Sequence, residues 1–110
     1  MRGFDLANVK FDSNGLVPVI VQHAQTHDVL MLGYSDSAGL SETLSLGKLV
    51  FFSRSRNQRW LKGETSGNFL NLVSLHLDCD SDAVLALVEP VGSTCHTGAN
   101  SCFEEPNGIQ

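Results

Sequence analysis

The apolar residues of this chain come in short runs, such as Val17 to Val21, Val29 to Leu32 and Ala83 to Val88, and each run is closed by polar or glycine-containing stretches. That punctuation favours short strands over a helical bundle. It also falls far below the ~20 apolar residues that a membrane helix requires. Val17 to Gln22 and Val29 to Tyr34 read as two strands joined by the polar stretch His23 to Asp28, with a hairpin as the natural connection. Ser35 to Gly47 is the one good helix candidate: Asp36 or Ser37 can cap it, Leu40 and Leu44 lie four apart on one face, and Gly47 can end it. Leu49 to Ser53 reads as a strand, Arg54 to Lys62 as a charged segment, and Gly63 to Asn68 as a loop. Phe69 to Cys79 and Ala83 to Val88 read as two further strands around a tight polar corner, and Gly92 to Phe103 has turn composition. The expected fold class is α+β, mostly antiparallel sheet with one main helix.

At 110 residues the chain suits a single domain with one core, and the stretch Glu104 to Gln110, with Pro106 and Gly108, reads as a polar tail. A formal net charge of -5 argues against a broad nucleic-acid-binding surface, which needs many cations to displace counterions from phosphates. Met1 to Asn8 mixes Arg2 and Asp5 with too few apolar residues for a signal sequence, so the expected compartment is the cytosol, with no membrane partner. Three cysteines cannot all pair within one chain, which makes a disulfide framework a poor reading and raises the question of metal binding.

The most informative segment is Leu77-Asp78-Cys79-Asp80-Ser81-Asp82. Strand side chains alternate faces. If the strand persists, Val73, Leu75, Leu77 and Cys79 continue one apolar face, while Ser74, His76, Asp78, Asp80 and Asp82 share the other. Converging carboxylates repel one another, and a bound cation removes the conflict. Oxygen-only ligands suit a hard ion such as Mg²⁺. A solvated acidic turn capping the strand fits the same spacing.

Cys79 goes with Cys95 and Cys102, the last two lying in the glycine-containing loop Cys95-His96-Thr97-Gly98-Ala99-Asn100-Ser101-Cys102. Thiolates select softer ions, zinc first, and three protein ligands leave a fourth position for water whose pKa falls to about 7. Each cysteine taken singly is equally a small buried hydrophobe. His96 is either a fourth ligand that closes the site or a general acid/base beside the water.

Arg54, Arg56, Arg59 and Lys62 carry most of the positive charge, and they lead into Gly63-Glu64-Thr65-Ser66-Gly67-Asn68. Cations beside exposed backbone amides and hydroxyls are what phosphate binding needs. Trp60 offers a stacking face for a purine, or a core side chain. A solvated hairpin is the plain alternative, and the P-loop pattern is absent, since Gly47-Lys48 is followed by Leu49.

From about Gly15 to Phe103 the chain resembles the phosphoribosyl-AMP cyclohydrolase family. The resemblance rests on Asn14-Gly15-Leu16-Val17-Pro18-Val19-Ile20-Val21-Gln22, Phe52-Ser53-Arg54-Ser55-Arg56, Trp60-Leu61-Lys62-Gly63-Glu64-Thr65-Ser66-Gly67-Asn68, Asp78-Cys79-Asp80-Ser81-Asp82, Cys95-His96-Thr97-Gly98 and Ser101-Cys102-Phe103. It implies a cyclohydrolase domain over residues 1–103 that opens the N1–C6 bond of N1-(5-phosphoribosyl)-AMP in histidine biosynthesis. It further implies magnesium at Asp78, Asp80 and Asp82, and zinc at Cys79 of one subunit with Cys95 and Cys102 of the other, so that an intertwined homodimer completes the site. Two departures stand out: Ser93-Thr94 precedes Cys95 where the family often carries proline, and Tyr34-Ser35-Asp36 stands where many members have Met-Asn after the Tyr. The chain is also similar to the N-terminal half of bifunctional enzymes that carry a pyrophosphohydrolase domain downstream.

The expected mechanism has zinc-activated water attacking C6 of the cationic purine, with His96 assisting proton transfer. Arg54, Arg56, Trp60, Lys62, Glu64, Thr65, Ser66, Gly67 and Asn68 are the expected substrate-binding residues. Two rival classes are a passive zinc module that keeps the fold without catalysis, and a base deaminase. The deaminase signature, His-x-Glu with Pro-Cys-x-x-Cys, is missing.

Overall fold

The computed structural model describes residues 4–103, so the expected tail over residues 104–110 lies outside the described residues. After a short 3-10 turn at Leu6–Asn8 come strands β1 (Leu16–His23) and β2 (Val29–Asp36) and helix α1 (Ser37–Leu46). Strands β3 (Val50–Ser53), β4 (Gln58–Leu61), β5 (Leu70–Leu77) and β6 (Val84–Pro90) complete the order. A four-stranded sheet runs β2-β1-β6-β5, and β3 and β4 form a separate two-stranded sheet. Every pairing is antiparallel except β1 with β6, which is parallel. The α+β expectation with one helix therefore holds, and the parallel join at its centre is the addition.

Alternation explains the core. Val17, Val19 and Val21 of β1 are buried, as are Val84, Ala86 and Val88 of β6, whereas Ile20 between them is 37% exposed. β-Branched side chains fit that half-buried pleat. Pro18 is tolerated because the ladder to β6 begins only at Val19, so its missing N–H is not needed there.

Helix α1 departs from the expected face. Asp36 caps it, its side chain accepting from the Gly39 N–H at 2.8 Å, and Gly47 ends it with φ of 70°, where a side chain would be strained. The buried positions are Gly39, Leu40 and Thr43, however, and Leu44 is 49% exposed. Thr43 takes the place expected for Leu44 because its hydroxyl has work to do: it donates to the Gly39 carbonyl at 2.9 Å and accepts from the Val50 N–H at 3.0 Å, tying the helix to β3.

Two further expectations need correction. The charged segment Arg54 to Lys62 contains a strand, β4, whose Trp60 pairs with Phe51 across β3. In β5 a bulge between Leu72 and Ser74 leaves Val73 54% exposed, outside the apolar face assigned to it. Among the described residues no helix is long and apolar enough to cross a membrane.

Candidate functional site

The turn between β4 and β5 and the loop after β6 lie side by side. The Val91 N–H donates to the Phe69 carbonyl at 2.8 Å, and Gly92 sits so close to Asn68 that a Cβ there would meet its Oδ1 at 2.6 Å. Gly63 makes the turn possible: its φ is 92°, and a Cβ would stand 2.6 Å from the Asn68 carbonyl carbon and the Phe69 nitrogen. Between the two segments opens a cavity of about 420 Å³. Of the expected substrate-binding residues, Arg56, Trp60, Lys62, Glu64, Thr65, Ser66 and Asn68 line it, facing Cys95 and His96.

Arg54 and Gly67 do not line that cavity. Arg54 stacks over the Tyr34 ring at 4.0 Å and borders a second, more open cavity of about 620 Å³ that shares Arg56 and Trp60 with the first.

Tight turns bring Cys95 and Cys102 together. The Cys95 N–H donates to Ala99 and the Gly98 N–H to Cys95, both at 3.0 Å, while the Cys102 N–H donates to the Leu30 carbonyl at 2.7 Å. Ser101 adds a bond to the Val29 carbonyl at 2.6 Å, fixing the segment to the start of β2. The Thr97 hydroxyl, 3.2 Å from the Cys95 sulfur, is the main cause of a lowered Cys95 pKa, with its backbone N–H, Cys102 and the Lys62 charge acting the same way. Burial, and then the hydrogen bond with Cys95, push the Cys102 thiol up. One thiol is thus readied for deprotonation and its neighbour is held back. His96 is adjacent, its Nδ1 lying 3.9 Å from the Cys95 sulfur.

The acidic segment lies elsewhere. Strand β5 stops at Leu77, so alternation does not run through Asp82; a turn closes instead, with Ser81 at φ of 63°. Asp78 Oδ1 accepts from the N–H groups of Asp82 at 3.0 Å and Ala83 at 3.3 Å, which is the capping role of an acidic turn. The acids still crowd one another: the hydrogen bond to Asp78, then its charge, and further on the charge of Asp80, raise the Asp82 pKa. Cys79 does not continue the apolar face and does not point away from the acids. It is exposed, with its sulfur 3.8 Å from Asp80 Oδ1.

Leu70 pairs with Pro90 at the cavity end of the β5–β6 hairpin and Leu77 with Val84 at the acidic end. At about 3.3 Å per residue, β5 separates the two ends by roughly 20 to 25 Å. Among the described residues of one chain, no three His, Cys, Asp or Glu side chains are gathered to hold a metal ion. The donor chemistry nonetheless suits metals: two thiols already in contact, and carboxylates whose mutual repulsion a cation relieves.

Sequence reasoning did not single out Thr97 as a partner of Cys95, or Ser93 and Thr94 as cavity walls. Adjacency to a candidate ligand was the signal for Thr97, and Ser93-Thr94 stood out only as a departure from the family pattern before Cys95. Thr94 is 2% exposed and its hydroxyl has no hydrogen-bond partner among the described residues, an arrangement that costs about 1–3 kcal/mol.

Comparison with known proteins matches residues 31–104 to the model of the phosphoribosyl-AMP cyclohydrolase family. The chain is 57% identical over 91 residues to the histidine biosynthesis bifunctional protein HisIE of Escherichia coli strain K12, covering 83% of this chain and 45% of that protein. It is 59% identical over 91 residues to HisIE of Staphylococcus epidermidis, covering 83% and 43%. To HisIE of Campylobacter jejuni it is 55% identical over 92 residues, covering 84% and 44%. The chain spans about half the length of the curated relatives it matches.

Proposed function

Because the chain belongs to the phosphoribosyl-AMP cyclohydrolase family, we propose that it hydrolyses the N1–C6 bond of N1-(5-phosphoribosyl)-AMP, a ring opening in histidine biosynthesis. The observation that carries this reading is the shared cavity, in which the cationic glycine turn faces Cys95 and His96. One wall is built to hold an anionic purine nucleotide and the other to act on it.

Arg56 and Lys62 supply positive charge for phosphate, with hydroxyls from Thr65 and Ser66 beside them. Trp60 offers a ring face to the purine. Arg54, held over Tyr34 at the edge of the adjoining cavity, suits the second phosphate of an extended substrate. Alkylation at N1 leaves the ring cationic and C6 electrophilic. Water adds at C6, the N1–C6 bond breaks to give a carboxamide and a formamidine, and His96 is placed to move the proton that this exchange requires.

The reading includes two metals and a homodimer. Zinc would be held by Cys95 and Cys102 together with Cys79 of a second copy, and the chemistry it would supply is Lewis acidity that makes water a nucleophile at neutral pH. Magnesium would be held at the Asp78, Asp80 and Asp82 turn, where oxygen donors suit a hard ion. What supports the dimer is the length of β5: Cys79 lies at one end of the hairpin and the other two thiols at the opposite end, so no small movement within one chain unites them. The outer face of the large sheet also carries an apolar row, in which Leu32 pairs with Ile20 and Ile20 with Leu85, beside His76, whose Nδ1 has no hydrogen-bond partner among the described residues. A cytosolic compartment goes with this pathway.

An absorbance assay of ring opening, run on the wild type and on Cys95→Ala with and without chelator, tests the scheme. Turnover and zinc stoichiometry are expected to disappear together. Full turnover in zinc-free protein refutes the zinc role, and no turnover in the metal-loaded wild type favours a passive module.

A further inference from the structure

The chain reverses sharply at Cys95-His96-Thr97-Gly98, where the Gly98 N–H donates to the Cys95 carbonyl at 3.0 Å and Gly98 takes a φ of 92°. That reversal carries Thr97 back over the Cys95 sulfur. The Thr97 hydroxyl donates to Sγ at 3.2 Å, and the Thr97 backbone N–H is a second donor to the same atom. Thr97 is exposed, and its hydroxyl makes no other hydrogen bond among the described residues. A neutral thiol is a weak acceptor, and water would serve an exposed hydroxyl better. A thiolate is a stronger acceptor because it is charged, so the contact suits the state in which this sulfur ligates a metal ion.

We infer that Thr97 is a positioning residue: by donating to the Cys95 sulfur, its hydroxyl fixes the direction from which that sulfur meets a zinc ion and tunes how strongly it donates electrons to it. The inference rests on the zinc reading proposed above and deepens it. Partners one shell beyond a metal ligand orient it and set its donor strength. Cys102 is held differently, through its own N–H on the Leu30 carbonyl and the neighbouring Ser101 hydroxyl on that of Val29. Thr97 therefore acts on one sulfur of the set, and its removal leaves the other in place.

Two probes test this on the full chain after metal removal: zinc titrated against a chromophoric chelator, and cobalt, whose charge-transfer band with sulfur reports the electronics of the thiolates. Thr97→Val preserves the shape of the side chain and the backbone N–H but removes the hydroxyl. It is expected to bind zinc about 10-fold more weakly than wild type, the lower end of the range for outer partners because the N–H donor remains. Its cobalt band is expected at longer wavelength, since a sulfur relieved of a hydrogen bond gives up electron density more readily. A role confined to holding the turn would leave that band where it is. Thr97→Ser, which restores the hydroxyl, is expected to restore both values. An unmoved band or an unchanged zinc affinity in Thr97→Val, or a failure of Thr97→Ser to recover them, overturns the inference and leaves the zinc reading standing. If the wild type takes no zinc from the chelator and shows no charge-transfer band with cobalt, the zinc reading falls, and this inference with it.

Discussion

The carboxyl of Asp82 stands against that of Asp78 on an exposed turn, and this crowding sets the behaviour of the acidic segment. A raised pKa means that the folded chain holds its proton more tightly than the unfolded chain does. The associated stability is present below the unfolded value and is lost as pH rises through the folded one. At neutral pH the metal-free turn is therefore under strain from like charge. Asp82→Asn should raise the melting temperature of chelator-treated protein at pH 7 by a degree or two, and, with magnesium at this turn as proposed, should remove most of the further rise expected of the wild type in millimolar magnesium. Thermal scans with and without the ion check both effects; an equal magnesium response in the variant would remove Asp82 from the ion site. At this scale the sequence revealed residue types but not orientations. Asp78, Asp80 and Asp82 were recognisable as neighbours, yet the alternation that placed Cys79 on the opposite side assumed a strand where the chain turns at Ser81. A turn hydrogen-bonded by Asp78 itself competes with strand extension, and local side-chain bonding won.

Elements with strong local signals emerged nearly as read. Helix α1 has its cap at Asp36 and its left-handed stop at Gly47 because both are satisfied within one turn of chain. Asp36 also pairs with Arg59 of β4 at 3.2 Å, but that contact is exposed on the arginine side and adds little. Asp36→Ala should therefore cost about 1 kcal/mol, mostly the lost cap. Arg59→Ala, which removes the ion pair and leaves the cap, should cost well under half as much. Urea titrations of the two variants separate the terms, and equal losses would assign the stability to the ion pair instead. Strand β4 escaped reading because Gln58, Arg59 and Trp60 show no apolar alternation of their own; β3 supplies its register from outside. The Val73 bulge escaped for the same reason, as no residue type announces an inserted position.

At the scale of the whole molecule, the β5–β6 hairpin places the acidic turn and Cys79 at one end and the Cys95 to Cys102 loop at the other. A zinc site that needs all three thiols must then be built from two chains, and the exposed Ile20 and Leu32 row offers a surface for joining them. Ile20→Asp combined with Leu32→Glu should yield a folded monomer with little turnover, seen as halved mass by light scattering with an unchanged far-ultraviolet spectrum. A persistent dimer would move the interface off this face. Alternating apolar runs, one capped helix and the dispersed cationic, acidic and thiol motifs were determined by the sequence alone, because each depends on contacts a few residues apart. That Arg56, Lys62 and Ser66 meet Cys95 in one cavity, that Arg54 leaves them for Tyr34, and that Thr94 is buried without a partner among the described residues were decided only by tertiary structure. Those facts depend on which turn lies beside which strand end, and it is packing of the sheet, rather than any local preference, that settles such neighbours.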